Sequence, residues 1–188
     1  MLTLPDKNLY TLAIDSPWGW WQISTTEETL TAVEFIGQST SDMYPTEPRH
    51  KLEKQLHCML SRYFQGENPD FTRIPVDFSG LSPFSVQVLQ LLRMVQHGET
   101  RSYQWLAEQV GKPSAARAVG SVMGRNPWPI IIPCHRIVPK SGVLGGFMRN
   151  CPGGTIIKAG LLALEGRVFS ETSTDNVGLA LPLALSKN

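Results

Sequence analysis

The amino-acid sequence predicts an α/β fold of the α+β type, in which a small sheet with one helix precedes a mostly helical lobe. Short runs of β-branched and aromatic residues fill residues 9–36, whereas later apolar residues recur at helical spacing. The chain of 188 residues is long enough to bury a core in each of two small lobes. We therefore predict an N-terminal α/β domain with its linker over residues 1–80, a C-terminal lobe over 81–167 and a tail over 168–188.

The first lobe is predicted to be a three-stranded meander with a helix on one face. Its extended runs are separated by turn residues at 15–17 and 25–28. The apolar residues within 52–63 fall on one helical face, and Gly66 follows as a stop signal. Residues 68–80 are punctuated by Pro and Gly, so they are predicted to form a linker with at most one edge strand.

The second lobe is predicted to begin with a helix and to continue as a helix-turn-helix. Ser82 is a typical N-cap residue and Pro83 a typical first-turn residue, and this helix is predicted to end at His97-Gly98. Two further helices are predicted over residues 102–110 and 114–125, joined by a Gly-Lys-Pro break. A plain pair of core helices would give the same pattern, so the motif alone does not indicate DNA binding.

Composition restricts the class of protein. No apolar run approaches the roughly 20 residues that span a bilayer, and the first residues lack the basic-then-apolar pattern of a secretory signal. Cys58, Cys134 and Cys151 are too few for a disulfide framework, which is typical of a reducing compartment. We expect no membrane association and a cytoplasmic location, or a nuclear one if the source is eukaryotic.

The formal net charge of +1 conceals a strongly basic segment. Residues 93–167 contain ten Lys and Arg against three Glu, a net charge of +7, while the rest of the chain carries −6. Such a segment is typical of a surface that binds a polyanion, although ordinary solvated charge would give the same count.

The second helix of the predicted helix-turn-helix carries small side chains at Ala115, Ala116, Ala118 and Gly120. Because the minor groove of DNA is only about 6 Å wide, a helix that enters it must be slim or must widen it. The alanines would equally favour helicity or close packing in a core. Arg117, in the middle of the run, is a candidate either to fill the space left by an extruded base or to contact a phosphate.

The segment after this helix is predicted to present a reactive cysteine. Residues 125–129 contain two prolines and cannot continue the helix, and the three isoleucines at 130–132 are predicted to form a buried strand. Cys134 would follow at the end of that strand. A thiol with an ordinary pKa near 8.5 needs a base or a positive charge nearby to react at neutral pH, and His135 and Arg136 are the candidates.

His135 needs a particular geometry to activate Cys134. Neighbouring side chains of an extended chain point to opposite faces, so the two groups meet only if the backbone turns or a water bridges them. An imidazole also needs an orienting partner, and Glu165 is the candidate on the following helix. The alternative is that Cys134 is a small buried hydrophobe and His135 a hydrogen-bonded core residue.

Residues 98–138 contain three motifs in a fixed order. They read Gly-Glu-Thr-Arg-Ser-Tyr-Gln-Trp-Leu-Ala, then Ala-Ala-Arg-Ala-Val-Gly, then Asn-Pro followed by Pro-Cys-His-Arg-Ile-Val. Together with Gly153-Gly154, Lys158 and Glu165-Gly166, they closely resemble the O6-alkylguanine-DNA alkyltransferases over about half of the chain. The resemblance implies a ribonuclease-H-like sheet in the first lobe and a helix-turn-helix of winged-helix-like character in the second.

The resemblance implies a role for each matching residue at the reaction centre. Cys134 would accept the alkyl group, His135 would act as its water-bridged base, and Glu165 would orient His135. Tyr103 would donate a hydrogen bond to the guanine ring, and Asn126 would hold the helix-turn-helix against the active-site strand. The implied substrate pocket consists of Tyr103, Cys134, Ile137, Phe147 and Met148.

The resemblance also implies the contacts with DNA. Arg117 would fill the gap left by the flipped base, and the main-chain carbonyls of Cys134 and Ile137 would accept from the guanine amino group. The remaining implied DNA contacts are Ser102, Ala115, Ala116, Ala118, Gly120 and Arg125. The implied partner is double-stranded DNA containing O6-alkylguanine, and the implied reaction requires no metal and no organic cofactor. We expect a monomer, because one flipped base needs only one site.

The implied chemistry requires base flipping and a single turnover. An alkyl group on guanine O6 cannot be reached inside a stacked duplex, so the nucleotide must be extruded at a cost of a few kcal/mol. The Cys134 thiolate then displaces guanine from the alkyl carbon and keeps the alkyl group as a thioether. The expected function is DNA repair by direct reversal, with O4-alkylthymine as a further candidate substrate.

One loop departs from the family pattern. The family usually has Gly-x-Tyr shortly before the Gly-Gly pair, whereas here Gly146-Phe147-Met148 is followed by residues 149–152 before Gly153. The tyrosine hydroxyl is missing and the loop is about four residues longer. The range of alkyl groups is therefore not carried over, and Cys151 is predicted to be an incidental loop thiol rather than a second acceptor.

Two other functions fit parts of the sequence. Alkyltransferase-like proteins only recognise lesions, but they replace the acceptor cysteine, and this chain has Cys134. A cysteine hydrolase would use Cys, His and Glu repeatedly, but it would need an oxyanion hole and would have no use for a slim, basic helix.

Overall fold

The computed structural model describes residues 8–38, 44–149, 151 and 153–168. Its N-terminal elements are β1 Tyr10–Ile14, β2 Trp20–Thr25, β3 Leu30–Gly37 and α1 Lys51–Phe64. The strands form an antiparallel sheet in the order β1-β2-β3, and α1 packs against β1. The predicted meander and its covering helix are confirmed.

The sheet and α1 bury the faces that the sequence pattern indicates. Leu12 and Ile14, two residues apart on β1, are buried, and so are Leu56 and Leu60, four residues apart on α1. Burying each of these side chains stabilises the fold by roughly 1.5–3 kcal/mol, so this contact fixes α1 against the sheet.

Residues 68–80 link the two halves of the chain without a regular strand. Phe71–Arg73 form one 3₁₀ turn, and Val76 pairs with Leu30 of β3 in a single parallel bridge. The predicted edge strand is thus reduced to one residue pair.

The C-terminal part is mostly helical, as predicted. Its elements are α2 Pro83–Leu92, β4 Arg101–Ser102, α3 Tyr103–Gln109, α4 Ala116–Met123, β5 Ile137–Val138 and α5 Gly154–Leu164. A 3₁₀ turn at Pro113–Ala115 leads from α3 into α4, which gives the predicted helix-turn-helix arrangement. Strands β4 and β5 pair in parallel, so the segment that follows the Pro-Cys-His-Arg motif is tied to the start of α3.

Two predicted helix boundaries are wrong. The helix α2 ends at Leu92 rather than at His97-Gly98, because the next amides bond to carbonyls three residues back, as in Met94 N to Leu91 O at 3.1 Å. The helix predicted over residues 114–125 is likewise shorter, since its first turn is a 3₁₀ turn and its last residues form a turn.

The isoleucine run at residues 130–132 is buried as predicted, but the predicted strand is wrong. Ile130 has a φ of +72°, and Ile132 N donates to Trp128 O at 2.8 Å, which closes a turn. An apolar run indicates burial and not the direction of the backbone, so the pattern could not distinguish a buried strand from a buried turn.

One continuous hydrophobic cluster joins the two predicted lobes. Trp128 Nε1 donates to the carbonyls of Leu30 and Thr31 at 3.1 Å each, which docks the turn before Cys134 onto β3. Gly160 of α5 packs so closely on Trp18 that a Cβ added there would lie 2.2 Å from the indole ring. The N-terminal sheet therefore supports the position of the reactive segment.

None of the helices in the described ranges has the length and hydrophobicity that a membrane span requires. The domain boundary at residue 80 stays a prediction, and from residue 169 onward the predicted tail lies outside the described residues.

Candidate active site and DNA interface

Asn126 shapes the turn that carries Cys134. Its Oδ1 accepts from Trp128 N at 3.1 Å, and its Nδ2 donates to Ile132 O at 2.8 Å, so both ends of the amide are used across the turn. Ile130 is held in the left-handed region, where a β-branched residue is strained by roughly 1–3 kcal/mol. The packing around a reactive segment is a common place for such strain.

Cys134 opens a 3₁₀ turn, Cys134–Arg136, and is 3% exposed. Asn126 Nδ2 also lies 3.2 Å from Cys134 Sγ, so the residue predicted to brace the helix-turn-helix touches the sulfur itself. Burial raises the pKa of the Cys134 thiol, while the Asn126 amide and the charge of Lys158 act in the opposite direction. The resting group is a thiol with partners that stabilise its thiolate.

His135 is fully buried and paired with the predicted carboxylate. Its Nε2 lies 2.8 Å from Glu165 Oε1, at the C-terminal end of α5. Since a carboxylate accepts, Nε2 carries the proton and Nδ1 is the free lone pair of the neutral ring. Burial lowers the pKa of His135, and Glu165 opposes this only in part, which leaves the neutral base.

The backbone turns between Cys134 and His135. A turn is one of the two ways, besides a bridging water, in which the imidazole can act on the thiol of its neighbour in sequence. Among the described residues, however, Nδ1 of His135 has no hydrogen-bond partner, although the atom is buried. A buried ring nitrogen that nothing in the protein satisfies is a typical place for a bridging water.

Glu165 is the centre of a larger hydrogen-bond network than the sequence indicated. Arg136 donates to it through Nε at 2.9 Å and Nη2 at 2.9 Å, and Gly98 N donates to Oε2 at 3.1 Å. Tyr63 of α1 donates its hydroxyl to Oε1 at 2.8 Å. Burial alone would raise the pKa of Glu165, but His135 and Arg136 together hold it well below its ordinary value.

Lys158 of α5 adds a buried positive charge to the site. It is 1% exposed, its Nζ donates to Ile137 O at 2.7 Å, and it lies 5.9 Å from the centre of the Tyr103 ring. Burial lowers the pKa of Lys158 to about 8, against the opposing effect of Cys134. The sequence indicated Lys158 only as one of the residues that match the family. It did not indicate that the Lys158 charge acts on the Cys134 thiol.

We expect Lys158→Met to slow the reaction of Cys134 with iodoacetamide about tenfold at pH 7, since a lost neighbouring cation raises a thiol pKa by about one unit or more. The difference shrinks as pH rises above 8, because wild-type Lys158 then loses the same charge. The rate is measured from pH 6 to 10, with Lys54→Met on the exposed side of α1 as the control. A pH-independent ratio would mean that Lys158 acts on the thiol only through packing.

Cys134 lines a cavity of about 360 Å³ between α4 and the loop that precedes α5. The side of α4 and the loop supply most of the wall. The lining residues are Tyr103, Gly120, Ser121, Met123, Gly124, Cys134, Gly146, Phe147, Met148, Arg149 and Lys158. The volume is within the range of small-molecule sites, so the thiol lies at the wall of a space that accepts a ligand.

Four of the five predicted pocket residues line this cavity, and Ile137 does not. The Ile137 side chain is fully buried, and its carbonyl accepts from Lys158. Burial and the Cys134 charge raise the pKa of Tyr103, so its hydroxyl stays protonated and able to donate. Phe147 is 6% exposed and packs edge-on to His135, with ring centroids 6.5 Å apart.

The predicted DNA-binding residues on α4 and directly beside it are all at least partly exposed. Arg117, Ala118 and Arg125 are exposed, and Ala115, Ala116 and Gly120 are partly exposed. Over the described ranges the side chains of Arg117 and Arg125 make no hydrogen bond or ion pair within the chain, so both guanidinium groups are available to an external anion. Gly120 also reaches the cavity, which places the small-sided helix between the surface and Cys134.

Ser102, also predicted to bind DNA, has a structural task. Its hydroxyl accepts from Trp105 N at 3.0 Å and caps α3. A role toward DNA stays a prediction.

Cys151, in the loop before α5, does not line the cavity that holds Cys134. It lines a neighbouring groove of about 700 Å³ beside β3, which shares Gly124, Met148 and Arg149 with the cavity. Asn150 and Pro152 lie outside the described residues. At the end of the loop, a Cβ added to Gly154 would lie 2.6 Å from Phe147 O, so only glycine allows this close approach. None of the three cysteines is in a disulfide.

We expect Cys151→Ser to react with alkylated DNA at the wild-type rate, because Cys151 does not line the cavity that holds Cys134. Loss of the reaction in this variant, measured by intact mass, would show that Cys151 takes part.

Comparison with known proteins agrees with this geometry. Residues 83–167 match the family model described as the DNA-binding domain of 6-O-methylguanine DNA methyltransferase. The methylated-DNA–protein-cysteine methyltransferase of Haemophilus influenzae is 35% identical over 174 residues, which span 89% of this chain and 92% of that protein. The one of Mycolicibacterium paratuberculosis is 47% identical over 108 residues, which span 57% of this chain and 62%, less than two thirds, of that relative.

The fold agrees as well. The crystal structure of Mycobacterium tuberculosis OGT in complex with DNA superposes with a TM-score of 0.70 at 36% identity, covering 83% of this chain and 92% of that chain. Sequence, cavity and fold therefore point to one family, and the chain belongs to the O6-methylguanine-DNA methyltransferases, also named methylated-DNA–protein-cysteine methyltransferases.

Proposed function

We propose that this chain repairs DNA by moving the alkyl group of O6-alkylguanine onto Cys134, once per molecule. The observation that carries the proposal is the position of Cys134: it lines a 360 Å³ cavity beside α4, touches Asn126, and precedes the buried pair of His135 and Glu165. A cysteine that served only as a core hydrophobe would need neither the cavity nor a buried imidazole hydrogen-bonded to a carboxylate beside it.

Binding begins at α4. Its small outer residues allow close approach to the minor groove, and the basic segment supplies affinity for phosphates. The damaged nucleotide then leaves the stack and enters the cavity past Gly120. Arg117 either fills the space in the duplex or binds a phosphate, and both tasks suit an exposed guanidinium.

Proton transfer prepares the sulfur. The Cys134 thiol gives its proton through one water to Nδ1 of His135, whose Nε2–H already binds Glu165. The imidazolium that results is stabilised by the Glu165 carboxylate, and the thiolate by Asn126 and Lys158. Charge separation therefore occurs between groups already placed to receive it.

The thiolate then attacks the alkyl carbon. A carbon–sulfur bond forms as the bond from that carbon to guanine O6 breaks, and the bonding electrons pass into the purine. Tyr103 donates a hydrogen bond to the ring and offsets this charge, because its hydroxyl is protonated and lines the cavity. The product on Cys134 is a thioether, so the chain is consumed in the reaction.

The experiment is to incubate the protein with a duplex that contains one O6-methylguanine and to measure intact and peptide masses. One methyl group on the peptide that contains Cys134, in stoichiometric yield, is the expected result. Unmodified protein with tight lesion binding would instead indicate a lesion-recognition protein, and repeated turnover a hydrolase.

We also propose that the chain acts as a monomer in the compartment that holds genomic DNA, the cytoplasm or the nucleus. One flipped base needs only one cavity, and Cys134 lines one. Sedimentation of the protein with and without duplex tests the monomer.

A further inference from the structure

Tyr63 connects α1, in the N-terminal half of the chain, to the buried pair of His135 and Glu165. It is 1% exposed and lies in the last turn of α1. Its hydroxyl donates to Glu165 Oε1 at 2.8 Å and lies 3.3 Å from His135 Nε2. The hydroxyl oxygen therefore lies against both members of the pair.

The Tyr63 hydroxyl is a donor at all relevant pH values. Burial raises the pKa of Tyr63 well above its ordinary value, and the charge of Glu165 adds to the effect. With the proton of His135 on Nε2, that nitrogen cannot accept, so the Tyr63 hydroxyl donates to the Glu165 carboxylate. The bond to Oε1 is therefore a constant constraint on Glu165.

The hydrogen-bond donors around the Glu165 carboxylate indicate what the Tyr63 hydroxyl does there. Gly98 N binds Oε2, and Arg136 binds both carboxylate oxygens. Of the two carboxylate oxygens, only Oε1 accepts from His135, and the Tyr63 hydroxyl donates to this same oxygen. Without the hydroxyl, Oε1 keeps only the arginine to hold it opposite the imidazole.

We propose that Tyr63 is a positioning residue for alkyl transfer, whose hydroxyl holds Glu165 Oε1 at Nε2 of His135 and so keeps the ring oriented as a base. This inference rests on the proposed function and extends it, because it makes the N-terminal half of the chain a participant in the reaction. The loss of one hydrogen bond to a charged group typically corresponds to a factor of about 10 to 100.

Tyr63→Phe in the full chain tests the proposal while keeping the ring packed against Phe64, Phe71 and His97. The expected result is a rate of methyl transfer at saturating duplex about tenfold lower, as for one lost hydrogen bond to a charged group, with the Kd for the O6-methylguanine duplex unchanged. A structural defect in the DNA-binding surface would instead weaken binding. A transfer rate equal to wild type would overturn the proposal.

Tyr10→Phe is the matched control. Tyr10 lies on β1, and its hydroxyl donates to Glu27 Oε1 at 3.2 Å on the exposed side of the sheet. The same atom is removed from the same half of the chain, so rate and Kd should both stay at wild-type values.

A double-mutant cycle with Glu165→Gln separates positioning from stability, at a temperature where circular dichroism shows all four proteins folded. If Tyr63 acts through Glu165, Tyr63→Phe has little further effect on the rate in the Glu165→Gln background. If the rate losses of the two single variants multiply in the double variant, Tyr63 only stabilises the fold and the proposal is wrong.

The reactivity of Cys134 with iodoacetamide in the absence of DNA distinguishes this proposal from the proposed function. Slower modification of Tyr63→Phe than of wild type supports the positioning role whatever the substrate is. A wild-type protein that accepts no methyl group refutes the proposed function, and unchanged thiol reactivity in Tyr63→Phe refutes the role of Tyr63.

Discussion

Cys134→Ser is expected to abolish methyl transfer and to preserve binding of the lesion. A serine hydroxyl ionises far less readily than a thiol, so neither His135 nor Lys158 can make it a nucleophile here. The replacement is nearly isosteric, and Asn126 Nδ2 keeps an acceptor at this position. The cavity and the α4 surface should therefore bind the O6-methylguanine duplex as before.

The measurement pairs peptide mass with fluorescence anisotropy on the same duplex. The variant should show no methyl adduct and a Kd within about threefold of wild type, since the change leaves the basic surface that sets affinity intact. Cys58→Ser, on the exposed side of α1, is the control and should be methylated fully on Cys134. A methyl group on another residue of Cys134→Ser would contradict the assignment of a single acceptor.

Glu165→Gln is expected to lower both the transfer rate and the stability. The rate should fall about 100-fold, because His135 loses the charge that stabilises its protonated form during general-base catalysis. The free energy of unfolding should fall by about 3 kcal/mol, because the buried Arg136 loses its carboxylate partner. Single-turnover mass kinetics and urea unfolding measure the two effects.

The stability effect of Glu165→Gln has a defined pH dependence. The folded-state pKa of Glu165 lies below the ordinary value of 4.5, so its stabilisation is present above that pH and is lost as pH falls through the folded-state value. The gap in unfolding free energy between wild type and variant is thus widest near neutral pH and narrows below pH 4.5.

Glu27→Gln, in an exposed turn of the sheet, is the control and should change stability by less than about 0.5 kcal/mol. Equal stability of wild type and Glu165→Gln at pH 7 would mean that Arg136 finds another partner when the carboxylate is gone.

The chemistry of the site was readable from local patterns. The Pro-Cys-His-Arg motif predicted a reactive thiol and its base, and the run of small residues around Arg117 indicated the helix that borders the cavity. The pairing of His135 with Glu165, 30 residues apart, was predicted because the intervening helix offered this acid as the orienting partner. The first two of these features are encoded by residue type at short spacing, and the third by the one acid that the following helix offers.

The path of the backbone through residues 130–132 could not be predicted from local sequence patterns. Three isoleucines predict burial for any backbone path, and the side chain of Asn126 decides the path by bonding across the turn. The end of α2 at Leu92 was also not predicted. After this residue the backbone amides bond to carbonyls three residues back instead of four.

The sequence by itself determined the helix-turn-helix and the family and predicted the candidate reacting residues, because these depend mostly on residue types at short, fixed spacing. Only the tertiary structure decided that Tyr63, 102 residues from Glu165, and the buried Lys158 belong to the same site. In a sequence Tyr63 is one more apolar position on a helix face. Its hydroxyl gains a function only when α1 packs against the segment that carries His135, and packing over such a separation depends on the whole core.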